Sequence, residues 1–280
     1  MPILILSFFG VLFIVAVIVL IKSPSIRGIL KKGLKVAMES MNLVIVLFVF
    51  GAVWSVLNVF LAPRLQTPGG APPGVAIVLG ILFALASFFM QAGSLGYVRD
   101  KLKLGKAEFS SFTASGSKYY VPFLLLSLFI ALVVGAFIIA AAAIAAVLAN
   151  ISGMLGLVLA VIVAAIGVYA AILMLLAPYF IVAGGQGVIA SVKSSVSLVR
   201  KNLLKLLGIA LILAVIGFLT GGVLGLFFAL LNTAMKGVQA PQFIFAVLSS
   251  FVNAFLGVVV TGSLMTFYLE TSNNNTSGAN

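Results

Sequence analysis

Residues 186–231 read QGVIASVKSSVSLVRKNLLKLLGIALILAVIGFLTGGVLGLFFALL, a basic, half-polar segment that runs straight into an apolar helix striped with small residues. Lys193, Arg200, Lys201 and Lys205 come first, and Gly217, Gly221, Gly225 and Ala229 follow at four-residue spacing. That spacing stacks the small residues on one helix face, where a neighbouring helix can approach backbone to backbone inside lipid. The stretch therefore predicts a basic interfacial segment, 186–205, with a spanning helix, 206–231, behind it. The same pairing occurs twice earlier, where basic segments 22–41 and 99–120 precede apolar runs 43–62 and 121–149.

The whole composition fits that reading. The chain is 64% hydrophobic and 7% charged, with a mean hydropathy of +1.36, whereas soluble domains carry about 25% charged residues. Seven apolar runs, 3–21, 43–62, 75–98, 121–149, 155–183, 206–231 and 243–269, are each long enough to cross a membrane. A hydrocarbon core is about 30 Å thick and a helix rises about 1.5 Å per residue. Backbone groups in lipid must pair within their own segment, so continuous runs of this length are helices. The expected fold is an all-α integral membrane protein of about seven transmembrane helices, one domain over 1–270, with residues 271–280 a disordered polar tail. Run 3–21 has no Lys or Arg before it and no Ala-x-Ala pattern after it, so it reads as a retained anchor.

Charge sets the expected orientation. Of 16 Lys and Arg, all but Arg64 and Lys236 fall in the three basic segments or at their edges. The positive-inside rule puts those segments in the cytoplasm of a cell (inner) membrane protein, with the N-terminus outside and the C-terminus inside. In the first segment Ile26, Ile29, Leu30, Leu34, Ala37, Met38 and Met41 share one helical face and Arg27, Lys31, Lys32 and Lys35 the other, the pattern of an amphipathic interfacial helix. The second segment contributes Lys101, Lys103 and Lys106 to the same candidate headgroup-binding surface. These cations can recognise anionic lipid, at about 1 kcal/mol each near a charged leaflet, or simply fix topology. Nucleic acid is not an expected partner, because no aromatic readers interleave with the basic residues.

Packing signals recur in the fifth run, where Gly156, Ala160 and Ala164 form a second small stripe and predict a tight hairpin with the fourth. Pro178, followed by Gly184 and Gly185, predicts a kink. The spanning helices behind the basic segments begin near residues 43, 121 and 203, intervals of 78 and 82, which predicts a threefold parallel repeat.

Chemistry is sparsely marked. Cysteine and histidine are both absent, which removes thiolate and imidazole ligands, cysteine nucleophiles and disulfides from this chain. Neither a metal nor a cofactor is expected. The four acids, Glu39, Asp100, Glu108 and Glu270, lie outside the apolar runs, an unfavourable arrangement for a proton relay or paired acid–base catalysis. Asn58, Gln91, Tyr169 and Asn253 are the most polar side chains within the spans. They either line a mid-membrane path or hydrogen-bond across helix contacts.

The segments Ala177-Pro-Tyr-Phe180, Ser197-Leu-Val-Arg-Lys-Asn202, Gly96-Tyr-Val-Arg99 and Phe109-Ser-Ser-Phe112 resemble the connections of small prokaryotic polytopic membrane proteins. That kind of domain is similar to the membrane part attached to glycerophosphodiester phosphodiesterases. The resemblance implies a bacterial or archaeal membrane protein and transfers no catalytic residue, since this chain has no phosphodiesterase domain. The expected function is that of a non-enzymatic subunit or scaffold binding other membrane proteins or anionic lipids. The alternative is a transporter or lipid-handling permease with a mid-membrane polar site.

Overall fold

The computed structural model describes residues 15, 18–19, 22–66, 73–149, 152–235 and 240–277. The expected first helix, 3–21, lies largely outside them, as do residues 67–72, 150–151 and 236–239. The described elements are helices, with no strand among them: α1 (Pro24–Glu39), α2 (Met41–Gln66), α3 (Pro73–Leu104), α4 (Phe109–Ala149), α5 (Gly153–Met174), α6 (Ala177–Gly184), α7 (Val188–Lys201), α8 (Leu203–Ala234) and α9 (Ala240–Ser277). Six stretches among the described residues are long and apolar enough to cross a membrane, the fourth of them running through α5 into α6.

α1 begins with Pro24, whose missing N–H costs nothing in a first turn, and ends at Ser40. Its buried face, Ile26, Ile29, Gly33, Val36 and Ala37, packs on α9 rather than on lipid. Gly33 makes this possible: a Cβ there would stand 2.8 Å from both the Val259 carbonyl and the Ser263 amide, and one at Gly262 would lie 3.1 Å from the Gly33 Cα. The expected apolar face is thereby divided. Ile26, Ile29 and Ala37 are enclosed by protein, whereas Leu34, Met38 and Met41 remain exposed.

The second basic segment departs most from expectation. It is no separate interfacial helix: residues 99–104 end α3, Gly105 turns the chain at a φ of 73°, and residues 109–120 are the first turns of the 41-residue α4. Pro122 and the Tyr119-Tyr120 pair read as a boundary, yet packing on α3 carries the helix through them. Gly93, Gly96 and Gly116 supply the close approach; a Cβ on Gly93 would meet the Phe112 carbonyl at 2.8 Å. The hairpin of α4 and α5 forms as predicted. Gly156 faces Ala145 and Leu148, and a Cβ on Gly167 would sit 2.8 Å from that of Phe137. Ala160 is half-buried and Ala164 exposed.

The break expected at Pro178 falls just before it, at Leu175 and Leu176. A proline ring obstructs the carbonyl four residues back and donates no hydrogen bond, so α5 stops at Met174 and α6 restarts with Pro178 in its first turn. Backbone groups freed in lipid need partners. Ser195 of α7, fully buried, provides them: its Oγ donates to the Leu173 carbonyl at 2.7 Å and accepts from the Leu176 amide at 3.2 Å.

α9 organises the rest. It packs on α1, α2, α8 and α3, and its Ser250 hydroxyl lies 2.9 Å from that of Ser55. It also runs on to Ser277, so 271–277, expected as disordered tail, is helical; the buried Thr271 hydroxyl satisfies itself on the Phe267 carbonyl at 2.7 Å. Continuous burial is concentrated at 92–98, 179–182 and 262–268, next to the basic segments. Away from that end the helices turn bulky side chains outward, among them Ile139, Leu157, Val223, Leu226 and Leu230. Lipid tails solvate such surfaces as well as protein does.

The three basic segments are unequal in plan. The first and third are short amphipathic helices joined to a spanning helix through one non-helical residue, Ser40 (φ −119°, ψ 42°) and Asn202 (φ −126°, ψ 25°). The second has no such joint.

Candidate functional site

The ends of α1, α3, α6 and α9 meet at the basic end of the bundle and line a half-open cavity of about 720 Å³. Lys32 and Lys35 enter from α1 with Glu39, Lys101 and Lys103 from α3, and Glu270 from α9. The cavity is fixed in place by the crossing of Gly33 with Gly262 and by the buried runs behind it. Lys32 donates to Glu270 at 2.9 Å. Glu39 holds Lys101 at 3.1 Å and, more loosely, Lys35 at 3.6 Å. The hydrogen bond from Lys101 holds the Glu39 carboxyl below its usual value of 4.5, and the nearby Lys35 charge adds to this while desolvation opposes it. Lys103 forms no ion pair among the described residues. Thr266 and Tyr268 of α9 complete the wall. Tyr268 is only 6% exposed, and its hydroxyl has no hydrogen-bond partner among the described residues.

Beside the cavity Arg99 ties α3 to α6, donating from Nη1 to the Val182 carbonyl at 2.9 Å and from Nε to Asp100 at 2.7 Å. Ammonium groups and hydroxyls of this kind are able to bind and orient an anion. They include no hydroxyl set beside a base, the arrangement that activates a nucleophile.

Of the expected headgroup ligands, Lys32, Lys35, Lys101 and Lys103 converge on this cavity. Arg27, Lys31, Lys106, Lys193, Arg200 and Lys201 remain dispersed on exposed surface, while Lys205 lies 5.6 Å above the Phe267 ring. All three basic segments still come to one end of the bundle, because α6 and the Arg99 tie bring the third beside the other two. Glu39, Glu270, Thr266 and Tyr268 escaped the sequence reading. The i,i+4 spacing of Lys35 and Glu39 was the one available signal.

Two further expectations find no counterpart among the described residues. The small-residue stripe of α8 meets no described neighbour: Cβ atoms at Gly217, Gly221 and Gly225 would enter open space, and Ala229 is exposed. Among the described residues close packing falls on Gly33, Gly93, Gly96 and Gly262, because regular spacing makes a face smooth without by itself selecting a neighbour. Nor do the polar span residues gather into a path. Asn58, Gln91, Tyr169 and Asn253 are all exposed, and none of them lines the basic cavity or the three other cavities between described helices. Asn58 satisfies itself locally, donating to the Trp54 carbonyl at 2.9 Å.

No curated protein and no solved structure matches the chain. The family model described as Domain of unknown function (DUF7847) matches residues 25–271, from the first turn of α1 to the buried end of α9, and the chain belongs to that family.

Proposed function

We propose that this protein is a multi-pass membrane subunit or scaffold that seats a basic face on the anionic cytoplasmic leaflet and offers its outer helices to other membrane proteins. The observation that carries the reading is the arrival of three separate basic segments at one end of the helix bundle. Cations gathered at that level gain about 1 kcal/mol each from an anionic surface, so the bundle is held in one orientation. The faces of α8 and of the α4–α5 hairpin that stay exposed among the described residues support the second half of the reading. The scattering of the four polar span residues favours it over a permease.

The natural absence of cysteine makes the test direct. Lys106 lies in the α3–α4 turn of the basic end, and Met154, 80% exposed, at the α4–α5 turn of the other. In intact cells a membrane-impermeant maleimide should label Met154→Cys and spare Lys106→Cys until the membrane is permeabilised. The opposite pattern overturns the orientation. Purified protein should also melt at a higher temperature in phosphatidylcholine nanodiscs once phosphatidylglycerol is included; indifference to the anionic lipid removes the leaflet-binding half.

A further inference from the structure

We propose that the cavity between α1, α3 and α9 is a specific site for a phosphate monoester, so that the basic face does more than adhere to charged lipid. The inference rests on the basic-face reading and deepens it. Four ammonium groups, Lys32, Lys35, Lys101 and Lys103, oppose two carboxylates, Glu39 and Glu270, inside one cavity. The surplus of two positive charges matches a monoester dianion and exceeds what a diester monoanion needs. A volume of about 720 Å³ is in the range of ligand pockets. It holds a phosphate with a glycerol-sized substituent.

The independent sign of a ligand is Tyr268. Its ring is held edge-on against Phe180 with centroids 4.8 Å apart, the residue is 6% exposed and lines the cavity, and its hydroxyl, beside Gly184, has no partner among the described residues. No described group accepts from this hydroxyl, and a phosphate oxygen in the cavity would do so. Lys103, free of any described ion pair, is the second ready donor.

Glu39 and Glu270 act as resident competitors. Each carboxylate occupies a lysine that an incoming phosphate would otherwise engage, so the site rests with its charge partly neutralised and exchanges carboxylate for phosphate on binding. The chemistry is shared by a phosphatidic acid headgroup reaching in from the leaflet and by a soluble phosphomonoester arriving from water.

The experiment is calorimetric titration of the full-length protein in a zwitterionic detergent at pH 8. The probes are dioctanoyl phosphatidic acid, dioctanoyl phosphatidylglycerol and glycerol 3-phosphate. The monoesters should bind about tenfold or more tighter than the diester. Tighter binding of phosphatidic acid than of glycerol 3-phosphate identifies the membrane as the source; equal affinity identifies the shared phosphate and a soluble ligand. Tyr268→Phe should weaken monoester binding by about tenfold while leaving the melting temperature unchanged, because the hydroxyl it removes has no folding partner. Lys103→Gln should do the same, and Lys193→Gln, outside the cavity, should not. Glu39→Gln should tighten binding, whereas Glu108→Gln, an equal change of charge elsewhere, should leave it alone. If Tyr268→Phe and Lys103→Gln titrate like the parent protein, or the monoester and diester bind alike, the specific site is refuted. The nanodisc preference for phosphatidylglycerol is measured separately and can survive that result.

Discussion

Replacing Gly33 by alanine is the most direct test of how the bundle is closed. The new Cβ would lie 2.8 Å from two backbone atoms of α9, the Val259 carbonyl oxygen and the Ser263 amide nitrogen, where ordinary contact begins at 3.4 Å. α1 and α9 must therefore separate by about 0.6 Å along that contact. Neither obstructing atom belongs to a side chain that can rotate away. Overpacking of this kind costs about 1–3 kcal/mol, and each kcal/mol lowers the midpoint of a domain of this size by about 2–4 °C. The expected fall is thus about 2–12 °C. Trp54, the single tryptophan, stacks on Phe83 at 4.2 Å and reports the melt by intrinsic fluorescence in detergent. Ser263→Ala should not rescue the variant, because the backbone obstruction remains. Gly96→Ala differs, since its obstruction is the Ser115 side chain, and Ser115→Gly should restore much of its loss. Gly221→Ala, with open space around the added methyl, should leave the midpoint within a degree or so. If Gly33→Ala melts like the parent while Gly221→Ala falls, the assignment of close packing to the α1–α9 crossing is wrong.

Two further outcomes follow from the polar ties. Ser195→Ala leaves the Leu173 carbonyl and the Leu176 amide unpaired in a buried place, and should cost about 1–3 kcal/mol, read in the same melt; an unchanged midpoint means that those groups find other partners. Glu39 has its folded-state pKa held below 4.5 by Lys101, so its contribution is complete above the unfolded value and disappears as pH falls through the folded one. The stability difference between the parent and Glu39→Gln should accordingly shrink below about pH 4.5; a difference that persists at lower pH refutes the ionic origin of that tie.

Apolar run length was sufficient to read the six long apolar helices among the described residues, since lipid leaves a long uncharged segment little choice but to be a helix. The gathering of basic segments was legible from charge alone, and the α4–α5 hairpin from a short turn between two runs rich in small residues. Which glycines touch a neighbour was not legible. Gly33 sits in a helix that looks merely interfacial, and Gly93 and Gly96 are irregularly spaced, whereas the more regular stripe from Gly217 to Ala229 has nothing described against it. The cavity was hidden for a related reason: its lysines come from segments about 70 residues apart, and its acids look like ordinary surface charges until α9 is carried past the membrane boundary. Residues 271–277 read as disorder because of their polar composition, whereas α9 continues through them and Thr271 is satisfied by its own helix.

The serine clasp at the α5–α6 break gears two parts of the protein together. One hydroxyl on α7 grips both lips of a fracture in a long apolar rod, so sideways travel of α7 must either drag α5 and α6 with it or let go of both lips at once. A partner or lipid pressing on α7 would be transmitted as tilt in a rod that reaches the opposite face, through a coupling two hydrogen bonds wide.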